Sequence, residues 1–276
     1  MGLRIGTNVS SIAAQRSLAG SQREISKSFA QLSSGSRITK SADDAAGLSI
    51  SEGLKSQIRG YGQAGRNAND GISMVQTSEG GLNEISNILT RFRELGVQAS
   101  SDTIGDQERS FIDKEVQQLK AETDRIAKTT RFGNVNLLDG TGGQFDFQVD
   151  THNTENDRIG FDASLQNATL SALGVAGLDF TSKGGARESL ETVDAAQKMV
   201  SGQRANLGAL QSRLISTSDQ IGINIENLSA ANSRIRDTDV AASSAELTRN
   251  NILQQASVSV LAQANQVPAM ALKLIG

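Results

Sequence analysis

Residues 193–235 read VDAAQKMVSGQRANLGALQSRLISTSDQIGINIENLSAANSRI, and within them Val193, Val200, Leu207, Leu214, Ile221, Leu228 and Ile235 recur every seven positions. Seven residues fall just short of two ideal helical turns. An apolar residue at every seventh place therefore keeps one stripe turned toward a partner and winds the pair into a left-handed supercoil. No proline interrupts the run. At 1.5 Å per residue it spans roughly 60 Å, which predicts a long helix lying along others rather than one wrapped inside a wide core. Gly202, Gly208 and Gly222 sit inside it; each costs about 1 kcal/mol relative to alanine, so this helix depends on its packing partners.

The composition points the same way. Aromatic residues make up 3% of the 276 and tryptophan is absent, so the large side chains that anchor a wide core are scarce and thin helix-on-helix seams are the expected form of burial. A net charge of −3, with no basic run among aromatics, gives no pull toward nucleic acid. The lack of cysteine removes disulfides and thiolate metal sites. The opening MGLRIGTNVSSIAAQRSLAG has no apolar core of a secretory signal, and no stretch approaches the ~20 apolar residues of a membrane span. Neither a cleaved leader nor a membrane partner is expected.

Period and punctuation divide the chain into five segments. In 1–40, Ile5, Val9, Ile12, Leu18, Ile25, Phe29 and Leu32 recur at mostly helical spacing among Ser, Ala and Gln. So narrow a stripe cannot repay the ordering of an isolated helix, and this arm is expected to fold on a partner. Segment 41–139 carries Leu48, Leu54 and Ile58, then expected breaks at Gly60, Gly62 and Gly65. It continues with Val75, Leu82, Ile85, Leu89, Phe92 and Leu95, and after a turn at Ser100 to Gly105 with Ile112, Val116, Leu119 and Ile126 on an antiparallel helix. In 140–187 the period changes to two at Phe145, Phe147 and Val149 and at Ile159 and Phe161, with DTHNTEND between. That is a β-hairpin, flanked by glycine turns at Gly140 to Gly143 and near Gly184. Segment 188–235 is the heptad helix, and 236–276 is a second arm with Ile252, Leu253, Val260, Leu261 and Val267. The expected fold is mainly α: a long antiparallel helical bundle or coiled coil, a small β-hairpin region in the middle, and the N- and C-terminal arms paired because the chain folds back at the hairpin.

No constellation for catalysis emerges. Gly60-Tyr61-Gly62-Gln63-Ala64-Gly65 matches the glycine fingerprint of dinucleotide sites, yet that motif needs a preceding strand and here helical spacing precedes it, so a bend between helices is expected. His152 is the sole histidine, which removes triads and two-histidine zinc sites. Asp43 and Asp44 are neighbours in sequence and would not face each other on a helix. They suit a helix cap or an arginine of a neighbouring chain better than an acid–base pair. No catalytic, metal or cofactor-binding residue is assigned, and no enzyme is expected.

Three blocks resemble the bacterial flagellins: QLSSGSRITKSADDAAGLSIS at 31–51, RNANDGISMVQTSEGGLNEISNILTRFRELGVQAS at 66–100, and NLSAANSRIRDTDVAASSAELTRNNILQQASVSVLAQANQVPAMALKLI at 227–275. The resemblance implies a structural subunit that is exported and polymerises into the flagellar filament for motility. Its paired arms would form an inner tube and its adjoining helices an outer tube. The upper part of the heptad ladder would then pack in the same chain against Leu82 to Leu95 and Ile112 to Ile126. The arm residues Ile5, Val9, Ile12, Leu18, Ile25, Phe29, Leu32, Ile252, Leu253, Val260, Leu261 and Val267 would form the assembly interface, and Arg37, Asp43, Asp44 and Arg234 would set subunit register.

The partners implied are further copies of the chain, an export chaperone, a cap protein and the hook-associated junction proteins. The location implied is the extracellular filament, reached through the flagellar secretion channel without a cleaved signal. Arg91, Leu95, Gln98 and Glu115 match a pattern that an animal Toll-like receptor reads in many flagellins, whereas Thr90 and Gly96 depart from it. The short middle region implies a minimal form without large outer domains. A hook-filament junction protein is the alternative within the same family group, and a filament-displayed adhesin or enzyme is the alternative from another class.

Overall fold

The computed structural model describes residues 7–275, with side chains over 7–266; the expectations placed on Ile5 and on the Val267 side chain lie outside the described residues. Five long helices dominate: α1 (Val9–Ser34), α2 (Ala45–Ala99), α3 (Asp106–Thr129), α4 (Lys183–Arg236) and α5 (Val240–Ile275). Between α3 and α4 lie the strands β1 (Arg131–Phe132), β2 (Val135–Asn136), β3 (Gln144–Gln148) and β4 (Arg158–Asp162). Residues 57–226 form one compact unit, and residues 1–56 with 227–276 form a second. The mainly helical fold with a small central hairpin is as the periodicities predict.

In the 57–226 unit the heptad ladder is the spine of the core. Val193, Val200, Leu207, Leu214 and Ile221 are each at most 4% exposed. They share one cluster with Val75, Leu82, Ile85, Leu89, Phe92 and Leu95 of α2 and Ile112 and Val116 of α3. β3 and β4 pair antiparallel with Phe145 opposite Phe161 and Phe147 opposite Ile159. The Phe145 and Phe161 rings stack at 6.3 Å, and Ile159 and Phe161 join the helical core. Alternation thus does here what the heptad does on α4: one face is spent on burial.

Two local expectations are corrected, and one short element is unforeseen. First, α2 does not break at Gly60, Gly62 or Gly65 but runs unbroken from Ala45 to Ala99. The glycine fingerprint is therefore an interior stretch of helix with no strand before it, and neither a nucleotide loop nor a bend. Several α2 glycines serve close packing instead. A Cβ on Gly60 would lie 2.6 Å from Thr151, one on Gly71 3.0 Å from the Phe147 ring, one on Gly81 2.6 Å from Leu138, and one on Gly96 2.8 Å from Phe180. The hairpin and the loops beside it press onto the helix where side chains are missing.

Second, α4 begins at Lys183, so Gly184 lies inside the helix and does not flank the hairpin as a turn. Third, the β1–β2 ribbon pairs Arg131 with Asn136 and Phe132 with Val135, around Gly133 at φ +58°. Its only signal in the sequence is the Gly-Asn pair between two short apolar residues, a turn pattern too brief to stand out.

The same substitution should act with opposite sign at two of these glycines. A methyl group added at Gly62 would meet open space, and one added at Gly81 would not. Gly62→Ala should stabilise by about 0.5–1 kcal/mol through helix propensity. Gly81→Ala should destabilise by about 1–3 kcal/mol through overpacking against Leu138 and Thr130. Urea unfolding of the two variants measures both.

Two buried cations also hold this unit, and no local pattern announces them. Arg109 donates from Nε to the Ala99 carbonyl at 2.9 Å and from Nη2 to the Ser101 carbonyl at 2.9 Å, closing the C-terminus of α2 and the turn that follows. Lys120 donates from Nζ to the carbonyls of Ala176 at 3.0 Å and Leu178 at 2.8 Å, tying the loop before α4 to α3. Burial pushes the Lys120 ammonium below its ordinary range, partly offset by Asp113 and Asp179.

Candidate assembly interface

The second unit is built on a pairing of α1 with α5. On α1 the positions turned inward are Ser11, Ala14, Leu18, Ser21, Ile25, Ser28 and Leu32; on α5 they are Ser243, Leu247, Asn250, Gln254, Ser257, Leu261 and Ala264, all buried or half-buried. Both sets step by three and four, the spacing of a coiled-coil seam. Ser11 Oγ donates to Asn265 Oδ1 at 2.9 Å, Asn8 Nδ2 to the Ala264 carbonyl at 2.8 Å, and Gln254 Nε2 to Gln22 Oε1 at 2.6 Å. With the Thr238 amide bonded to the Gly35 carbonyl at 3.0 Å, these links make the two helices antiparallel.

This seam divides the predicted arm residues into two groups. Leu18, Ile25, Leu32 and Leu261 lie half-buried within it. Val9, Ile12, Phe29, Ile252, Leu253 and Val260 point away, with Val9 at 69%, Phe29 at 66% and Ile252 at 61% exposure. Val240 and Val258, which the apolar spacing does not single out, are exposed on α5 as well. The helices therefore spend mainly small and polar residues on each other and leave large apolar ones outside. Isolated exposed apolar residues are ordinary, but this many on two paired helices form a surface suited to a protein partner.

The residues expected to set register sit at the joint between α1 and α2 and between α4 and α5. Gly35 takes φ +67° to end α1, a left-handed C-terminal position that favours glycine. Arg37 donates from Nε and Nη2 to the Ile235 carbonyl at 3.2 and 2.8 Å, and its amide donates to the Arg236 carbonyl at 2.7 Å. It thus closes the C-terminus of α4, where a cation also suits the helix dipole.

Asp43 Oδ2 accepts from the Thr39 amide, the Thr39 hydroxyl and the Lys40 amide at 2.9–3.1 Å. The Lys40 amide and then the Thr39 hydroxyl hold its carboxyl below the usual range. Because the pKa is depressed, this tie is present at neutral pH and is lost only as pH falls through that lowered value. Asp44 Oδ1 accepts from the Gly47 amide at 2.8 Å, capping the start of α2. Arg234 is exposed in the last turn of α4. Arg37, Asp43 and Asp44 thus make their contacts within the chain.

Among the four residues matching the receptor pattern, Arg91 bridges Glu94 at 2.8 Å and Glu115 at 2.9 Å on the surface, and Gln98 is exposed. Leu95 is corrected: it is 1% exposed in the core, so it cannot be a surface contact of the folded unit. His152 is exposed beside Asp150. Among the described residues, no group of three or more His, Cys, Asp and Glu could hold a metal ion, and no helix is long and apolar enough to cross a membrane.

A bundle whose first and last helices pair and leave large apolar side chains exposed defines a mainly helical protein with paired terminal arms. Residues 5–142 match the bacterial flagellin N-terminal helical region and residues 190–275 the bacterial flagellin C-terminal helical region. The chain belongs to the bacterial flagellin family, as a minimal member. It is 42% identical to a flagellin of Halalkalibacterium halodurans, covering 98% of this chain and 99% of that one. It is 41% identical to a flagellar filament core protein of Brachyspira hyodysenteriae, with the same coverage. The crystal structure of Bacillus cereus flagellin superposes with a TM-score of 0.51 at 28% identity, covering 56% of this chain and 88% of that one.

Proposed function

We propose that this chain polymerises into a flagellar filament for motility, through the outward faces of α1 and α5. The observation that carries this reading is the exposure of Val9, Ile12, Phe29, Ile252, Leu253 and Val260 on helices that already have a partner. Burial of such residues against further copies drives assembly at about 25 cal/mol per Å² before ordering costs are subtracted. Arg37, Asp43, Asp44 and Arg234 contribute to subunit register, the first three by holding the joint in one shape and Arg234 by contact with a neighbouring copy. The work is structural and involves no catalytic step.

The filament stands outside the cell, and the chain reaches it through the flagellar secretion channel. An export chaperone covers the apolar face of α5 beforehand, a cap protein guides addition at the tip, and hook-associated junction proteins receive the first subunits. Recognition by a Toll-like receptor would use Arg91, Gln98 and Glu115 alone, since Leu95 is buried. The hook-filament junction reading is not favoured, because the relatives matched over nearly the whole chain are named flagellins and filament core proteins.

Electron microscopy of the purified chain after self-assembly tests the proposal. Long, uniform filaments are expected. Rings, short adaptors or persistent monomers at high concentration overturn it.

A further inference from the structure

The geometry of one cavity points to a binding site for a small neutral polyol in the 57–226 unit, where the hairpin meets α2 and α4. The cavity has a volume of about 140 Å³ and opens to solvent on one side. The buried side chains of Val149, Ile159 and Ile221 give it an apolar floor. Its rim is polar. Gln220 and Asn224 lie one turn apart on α4, and Gln220 Nε2 donates to Asn224 Oδ1 at 3.1 Å. That bond leaves Gln220 Oε1 and Asn224 Nδ2, an acceptor beside a donor, without partners among the described residues. Vicinal hydroxyls match such a pair, since each O–H both donates and accepts. Arg213 and Asn156 also line the cavity, and neither side chain has a hydrogen-bond or ion-pair partner among the described residues.

Charge in the cavity selects against ions. Asp150, on its wall, already accepts from the Thr151 amide at 2.5 Å, the Thr151 hydroxyl at 3.3 Å and the Tyr61 hydroxyl. Burial, and then Asp150, pushes the Tyr61 hydroxyl above its ordinary range, which keeps it a neutral donor. An anion drawn to Arg213 would meet Asp150, and a cation drawn to Asp150 would meet Arg213; a neutral ligand meets neither repulsion. A volume of about 140 Å³ holds roughly four or five waters, so the ligand is a single unit of about three to five carbons. Its carbons cover the apolar floor and release water that has few partners there, while its hydroxyls reach the rim. The site lies within one unit of one chain, so this inference stands whether or not the chain polymerises.

Tyr61 lines the cavity and is the only tyrosine of a chain without tryptophan, so its fluorescence reports occupancy directly. Titration of the full chain with glycerol, erythritol and xylitol should give a saturable change, half-complete at about 1–10 mM for the best of them. Arg213→Met and Asn224→Leu should each raise that concentration by about tenfold or more. Arg213 is exposed and Asn224 half-buried, and the urea transition of Tyr61 without polyol shows that each variant is folded. Propan-1-ol, which lacks vicinal hydroxyls, and glycerate, which carries a charge, should give no saturable change. A response that only grows linearly with polyol, one that saturates equally in both variants, or saturation by propan-1-ol or glycerate overturns the inference.

Discussion

A chain that begins at Gly35, lacking α1, is expected to stay unassembled at concentrations where the intact chain sediments as filaments. Its removal takes away Val9, Ile12 and Phe29 from the outer face and leaves the inward side of α5, with Leu247 and Leu261, without its partner. Deletion alone does not distinguish the seam from the outer face, and a pair of substitutions does. Ile252→Ser with Leu253→Ser alters only residues that point away from α1. Full burial of a leucine or isoleucine is worth about 1.5–3 kcal/mol. As both are partly covered already, their joint loss should be about 2–3 kcal/mol. That corresponds to a rise of roughly fiftyfold in the critical concentration for polymerisation, read by sedimentation, with helix content by circular dichroism unchanged. If the double variant polymerises at the normal critical concentration, the contacts between copies lie elsewhere.

What the sequence discloses depends on whether a residue has one physical meaning or two. Leu207 and Leu214 can serve only burial, so their seven-residue spacing identifies α4 and its buried stripe directly. Phe145 and Phe147 against Phe161 and Ile159 do the same for the hairpin with a period of two. Glycine is ambiguous: it marks a break or a close approach, and what decides is a partner distant in sequence. Gly60 and Gly71 lie under Thr151 and Phe147, which follow only after α3, so α2 reads as broken where it is continuous.

In the arms the apolar residues are visible but their direction is not. Hydrophobicity draws the eye to Phe29 and Ile252, whereas the seam is traced by Ser11, Ser21, Ser28 and Asn250, whose three-four spacing is the signal a search limited to apolar residues misses. Arg37, Arg109 and Lys120 reach carbonyls through long flexible side chains. Such contacts leave no local spacing to find.

The heptad ladder itself yields the second large effect, because its evenly spaced rungs are unevenly buried. Leu214 is wholly enclosed in the core of the 57–226 unit, while Leu228, two rungs further along the same helix, is half-buried in the other unit. Leu214→Ala removes buried methyl groups and leaves a cavity between α4 and its neighbours, for a loss of about 2–5 kcal/mol. Leu228→Ala, with less area to lose and solvent near at hand, should cost less than half as much.

The chain reports on the two sites separately. With no tryptophan and Tyr61 as its one tyrosine, intrinsic fluorescence during urea unfolding follows the 57–226 unit alone. Leu214→Ala should shift the Tyr61 transition to markedly lower urea, and Leu228→Ala should leave it in place. Far-ultraviolet circular dichroism, which sums over all five helices, should register both. Equal shifts of the Tyr61 transition by the two substitutions would mean that α4 transmits the loss along its whole length and that the two units unfold as one.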